Sequence, residues 1–177
     1  GLGVCALTAL LWSLAVVGIF TASVGWLTLA LLLLVAYRDA RYWLMRLFFD
    51  VFEVRRPWYS LTVFCGVLLL SWLALNFLTV MRPFPIGWDD LGSYLNRPRL
   101  LVSYGTFVHV MSSFQWEYLS ALGYLLFGYD SIFGSTAAMT INWLAGPFAV
   151  LVVMAFARRF NGGLGVIAGL LYYSLPM

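Results

Sequence analysis

The sequence predicts an all-α protein: a polytopic transmembrane helix bundle with amphipathic interfacial helices in its first outer loop. Three observations lead there. Mean hydropathy is +0.94, and only 10% of residues are charged, against about 25% in a soluble domain. Several apolar runs reach the roughly 20 residues a helix needs to cross a bilayer. Every basic residue is an arginine, and the arginines cluster beside those runs, which is how membrane proteins mark their cytoplasmic ends. The formal charge of +3 therefore reads as topology. Nucleic acid is excluded as a partner, because binding it needs a basic patch on a soluble surface.

Residues 1–37 predict an N-terminal transmembrane hairpin. Leu2 to Tyr37 is nearly unbroken apolar sequence, too long for one span, and Thr21-Ala22-Ser23-Val24-Gly25 interrupts it. Two short helices follow, about Leu2–Phe20 and Val24–Tyr37; one long tilted helix is the alternative. Neither a basic leader nor a cleavage site accompanies the run, so a signal peptide fits poorly. Cys5 and Cys65 sit inside apolar segments with no His or Cys beside them, and read as buried thiols.

Residues 38–57 predict a cytoplasmic interfacial amphipathic helix. Arg38, Arg41, Arg46, Arg55 and Arg56 stand with Asp39, Asp50 and Glu53 among aromatic and aliphatic residues. Asp39, Arg46, Asp50 and Glu53 share one stripe, with Arg46 and Asp50 at i,i+4 spacing. Such a helix lies in the headgroup plane with its aromatics down; a docking surface for a partner is the other reading.

Residues 58–177 form the main module. Trp58–Val80 is a clean span preceded by Arg55 and Arg56, and roughly Ile132–Ala157 is a second, closed by Arg158 and Arg159. Both arginine pairs belong in the cytoplasm, so residues 81–131 between the spans form an outer loop. Its charge agrees: Arg82, Arg97 and Arg99 against Asp89, Asp90, Glu117 and Asp130. Gly162 to Leu175 heads outward again, with Gly165 and Gly169 spaced for close helix packing. The chain starts at Gly1 without Met and stops at Met177 beside an apolar run, which reads as a piece of a longer protein.

Within the loop, Pro83 and Pro85 stop the rising helix, and Asp89 and Asp90 open a new helical turn, where acidic residues suit the helix dipole. That pair fits a solvated N-terminal cap as well as a site. Leu100 to Val110 is apolar enough to lie on the membrane. Trp116 to Gly128 is apolar but about half a span long, the length of an interfacial or re-entrant helix.

A basic-started span, an outer loop with an adjacent acidic pair, and then Tyr118-Leu-Ser-Ala-Leu-Gly-Tyr-Leu-Leu-Phe-Gly128 resemble the N-terminal module of GT-C glycosyltransferases. The resemblance runs from about Trp58 to Pro176. Ala157-Arg-Arg-Phe-Asn-Gly-Gly and Gly-Val-Ile-Ala-Gly-Leu-Leu before Pro176 are similar to the protein mannosyltransferase and aminoarabinose transferase branches. The resemblance implies transfer of a sugar from a polyprenyl-phosphate-linked donor at the outer face of a cell inner membrane or endomembrane. It implies a catalytic carboxylate at Asp89, with Asp90 beside it. A carboxylate there acts as general base toward the acceptor or holds a divalent cation against the phosphate; if a metal takes part, Asp89 is its ligand.

The substrate-binding candidates are Trp88, Arg97, Arg99 and Glu117. Trp88 would stack on a sugar, although a Trp at the water interface is ordinary. Arg97 and Arg99 carry guanidinium forks that match phosphate oxygens; headgroup anchoring is their alternative. His109, the single histidine, makes no metal site alone. Phe114-Gln115-Trp116 replaces the Pro-Pro-Leu motif found there in many family members, which leaves the acceptor open. The competing reading is a non-catalytic membrane subunit or scaffold of a larger complex, using the outer loop for contacts. A transporter fits less well, since its mark is ionisable residues within spans.

Overall fold

The computed structural model describes residues 2–52, 59–81, 95–107, 115–160 and 164–175. Among these residues there are eight helices and no strand: α1 Leu2–Val17, α2 Ala22–Phe52, α3 Tyr59–Val80, α4 Asn96–Tyr104, α5 Gln115–Phe127, α6 Ile132–Trp143, α7 Ala145–Ala157 and α8 Leu164–Ser174. Three stretches are long and apolar enough to cross a membrane: Ala22–Tyr42, Ser60–Val80 and Ile132–Ala157. Hydroxyls within apolar helices turn back on their own backbone, as Thr8 does to Val4, Ser13 to Ala9 and Thr140 to Thr136. In these three the hydroxyl is satisfied within its own helix.

The helix boundaries depart from the sequence reading in two places. α1 ends at Val17, on Gly18 with φ 78, a left-handed conformation that glycine adopts without strain. Thr21, expected in the break, instead starts α2 by accepting the Gly25 N–H at 2.9 Å. The boundary drawn between residues 37 and 38 falls inside α2, which runs on to Phe52. Neither glycine nor proline interrupts Trp26 to Arg56, so nothing local stops the helix before Pro57. The side chains of Arg46 and Asp50 lie outside the described residues, as do Arg55 and Arg56.

The chain divides into two compact units. One comprises Gly1–Leu32 and Thr79–Trp143. Its centre is α5, against which α1, α4 and α6 pack. Leu11, Ala15 and Phe20 from the N-terminal segment join Leu101 of α4 and Tyr118, Leu119, Ala121, Leu122 and Leu125 of α5 in one core. The expected hairpin partner of α1 is α2, but its main neighbour is α5. α1 thus shares one core with α4 and α5. α5, read from sequence as interfacial or re-entrant, is buried from Glu117 through Leu125. Ser120, Ala121 and Gly123 are small enough to let neighbours approach, and a helix apolar all round belongs inside.

Two backbone joints fasten this unit. The Phe20 N–H donates to the Gly105 carbonyl at 3.3 Å, and the Phe107 N–H to the Ala15 carbonyl at 3.0 Å. Gly105, at φ 65, ends α4 as Gly18 ends α1, so two glycine-terminated helices meet end to end. At the far end of α5, Trp26 stands edge-on to Phe127 at 6.1 Å. Ser131 caps α6 by accepting the Gly134 N–H at 3.2 Å.

The other unit comprises Leu33–Leu78 and Leu144–Met177. α7 and α8 pack closely. A Cβ on Gly169 would lie 2.7 Å from Met154 Cγ, and one on Gly165 3.1 Å from the Met154 carbonyl, so the predicted small-residue pair does lie in a helix crossing. Asn76 of α3 donates its amide to the Tyr173 hydroxyl at 2.8 Å. The regular pattern pauses at Leu144 because Pro147 has no N–H for the i→i−4 bond that would fall on Trp143.

Candidate functional site

Trp88, Asp89 and Asp90 lie outside the described residues, as does His109. The described part of the candidate site is the contact between the start of α4 and the start of α5. Pro98 and Leu101 of α4 are buried there, which holds the first turn of α4 against α5. Arg97 then reaches Glu117: Nη1 donates to Oε1 at 3.3 Å. The two residues stand 20 apart in sequence and were proposed separately as substrate ligands; the fold brings them together as an ion pair.

The pair is unequally solvated. The Glu117 side chain is 6% exposed and that of Arg97 28%. A carboxylate this far from water needs a cation beside it, and Arg97 supplies one. Arg99 is exposed and lies near enough to Tyr124 of α5 to act on it electrostatically. The indole Nε1 of Trp116, next to Glu117, is buried without a hydrogen-bond partner among the described residues. No group of three or more His, Cys, Asp or Glu that could hold a metal ion occurs among the described residues.

Tyr124 went unnoticed in the sequence, because its partner is Ser135 on α6. Burial pushes its phenol above the ordinary value of 10.0, while the hydrogen bond with Ser135 and the charge of Arg99 pull the other way. A raised pKa means the neutral phenol is the form that folding favours. Its stabilising contribution is complete below about pH 10 and fades as pH rises through the folded-state value. The expected result is an alkaline loss of thermal stability that begins above pH 10 and is absent from Tyr124→Phe, measured by melting in detergent across pH 8 to 12. An alkaline limb unchanged in Tyr124→Phe would assign it to other groups.

The chain matches no protein-family model, no curated protein and no solved structure. Its reading therefore rests on its own residues and on the resemblance drawn from them.

Proposed function

We propose that this chain belongs to a multi-pass integral membrane glycosyltransferase of GT-C type, moving a sugar from a polyprenyl-phosphate donor to an acceptor at the outer face. The observation that carries the proposal is the agreement of packing with charge. Backbone bonds tie Phe20 to Gly105 and Ala15 to Phe107, and α2 begins beside the end of α5, with Gly25 against Leu125. The Gly18–Thr21 turn therefore shares a membrane side with α4 and α5. Ala22–Tyr42, with Arg38 and Arg41 near its end, and Ser60–Val80 then follow as two candidate spans. Counting arginines independently puts those ends in the cytoplasm, which supports an outer position for residues 81–131.

In this reading Asp89 takes the proton of an acceptor hydroxyl. The acceptor oxygen bonds to the anomeric carbon as that carbon's bond to the phosphate oxygen breaks, and polyprenyl phosphate leaves with the electron pair. Asp90, one residue on, points about 100° away if both are helical. Trp88 offers a stacking face for the sugar. Arg99 supplies exposed positive charge for the phosphate, whereas Arg97 is engaged with Glu117 and fixes α4 on α5. No step is assigned to a divalent cation.

The test is Asp89→Asn in the full-length protein, with transfer from a polyprenyl-phosphate sugar as readout. Loss of a general base lowers the rate by about a hundredfold or more at unchanged expression; full activity removes Asp89 from the mechanism. Asp89→Cys, in a background without Cys5 and Cys65, should react with a membrane-impermeant maleimide added outside. Reaction only from the cytoplasmic side would end the proposal.

A non-catalytic subunit or scaffold of a larger membrane complex is the second reading. The Arg97–Glu117 pair favours it, because it joins α4 to α5 and so serves packing. Wild-type protein without transfer activity, but retained in a complex through residues 81–131, is the outcome it expects.

A further inference from the structure

The end of α7 carries a group of residues to which the transferase reading gives no chemical role. Ile132–Ala157 is a candidate span of 26 residues, more than the roughly 20 that a crossing helix needs. Arg158 and Arg159 follow directly, so they emerge among the lipid headgroups. Among the described residues no hydrogen bond or ion pair engages either guanidinium.

Arg158 is nevertheless held in place. A Cβ on Gly165 of α8 would fall 2.6 Å from its Cγ and 3.2 Å from its Nε. The arginine stem thus lies across α8 in the space a side chain would fill. Arg159 beside it is exposed. Phe156 and Phe160 stack edge to face at 5.4 Å and are both largely exposed, an apolar pair flanking the two arginines in sequence. The last carbonyls of α7 carry partial negative charge and favour cations nearby, but that role leaves the fork donors of both arginines unfilled.

We propose that Arg158 and Arg159, flanked by the Phe156–Phe160 pair and with Arg158 seated on Gly165, bind the phosphate of an anionic membrane phospholipid. The guanidinium forks take the phosphate oxygens, while the exposed phenyl rings offer apolar contact to the same lipid. The assignment is independent of sugar transfer.

The experiment uses the full chain reconstituted in phosphatidylcholine vesicles containing a minority of phosphatidylglycerol. The lipid that stays bound after detergent extraction is identified by native mass spectrometry. Wild type should retain phosphatidylglycerol over phosphatidylcholine. Arg158→Gln and Arg159→Gln should each lower that preference about fivefold, the equivalent of one surface arginine near anionic lipid. Gly165→Ala should lower it with no change of charge, by displacing the Arg158 stem. Arg41→Gln, on exposed α2, should leave it intact. The proposal is overturned by wild-type lipid preference in the Arg158→Gln/Arg159→Gln double variant, or by equal loss in Arg41→Gln, which would mean general surface charge. Displacement of the lipid by excess inorganic phosphate would assign the site to a soluble anion and overturn it too.

Discussion

Gly123→Leu should fail to give a folded, monodisperse protein, and Gly123→Ala should fold with about 3 kcal/mol less stability, the upper end for overpacking a core. The reason is what a Cβ at this position would meet. It would lie 2.7 Å from Ala137 C and 2.7 Å from Ala138 Cα. These are backbone atoms of α6, and Ala138 is fully buried, so α5 and α6 would have to move apart. Alanine in a helix gains about 1 kcal/mol over glycine, too little to offset that separation. Gly25 provides the control. Its added Cβ would meet Leu125 Cδ2 at 2.7 Å, the far end of a side chain that has other rotamers. Gly25→Ala should change stability by less than about 1 kcal/mol. Thermal melting in detergent, followed by helicity, measures both; equal losses in the two variants would mean that the α5–α6 crossing is not the tight contact.

Arg97→Met should destabilise the fold by about 3–5 kcal/mol, the usual result of removing one partner of a buried ion pair. Glu117→Gln should cost less, about 1.5 kcal/mol, near the lower end for a charged hydrogen bond. The asymmetry follows from exposure: water reaches the 28%-exposed Arg97 side chain but hardly reaches the 6%-exposed Glu117. Arg97→Met combined with Glu117→Gln should recover most of the loss, because no charge is left buried. A double-mutant cycle on melting temperature in detergent reads the coupling directly. A double variant as unstable as the sum of the singles would show that the pair is not coupled. The result also bears on function. If the pair holds α4 on α5, Arg97→Lys should restore part of the stability, whereas a fork-dependent substrate ligand would tolerate neither change.

Much of the fold was legible in single segments. Ser60–Val80 and Ile132–Ala157 lie where uninterrupted apolar sequence and flanking arginines put them. Gly165 and Gly169 were visible as a small-residue pair and do face α7. Helix ends were less legible. The Gly18 stop was hidden inside an apolar run, and the polar residues after it mark the start of α2. The charged stretch from Arg38 looked like a new element because its composition changes, but composition alone does not break a helix.

The candidate site was legible only as separate residues. Arg97, Arg99 and Glu117 stood out as charges in an apolar chain, and each invited a substrate. Nothing in the local pattern says that Arg97 faces Glu117, since the two helices must first pack. Tyr124 and Ser135 were silent for the same reason. Gly123 opposite Ala137 and Ala138 had only a faint sign, the run of small residues from Gly134 to Ala138.

The sequence by itself determined the helical class of the described residues and their span-length apolar helices. Those properties come from each segment's own balance between lipid and water. Tertiary structure alone decided that α5 is a core helix, that α1 belongs with α4 and α5, and that Arg97 neutralises Glu117. Each of these depends on which distant surfaces meet, and burial is a property of that meeting rather than of either segment.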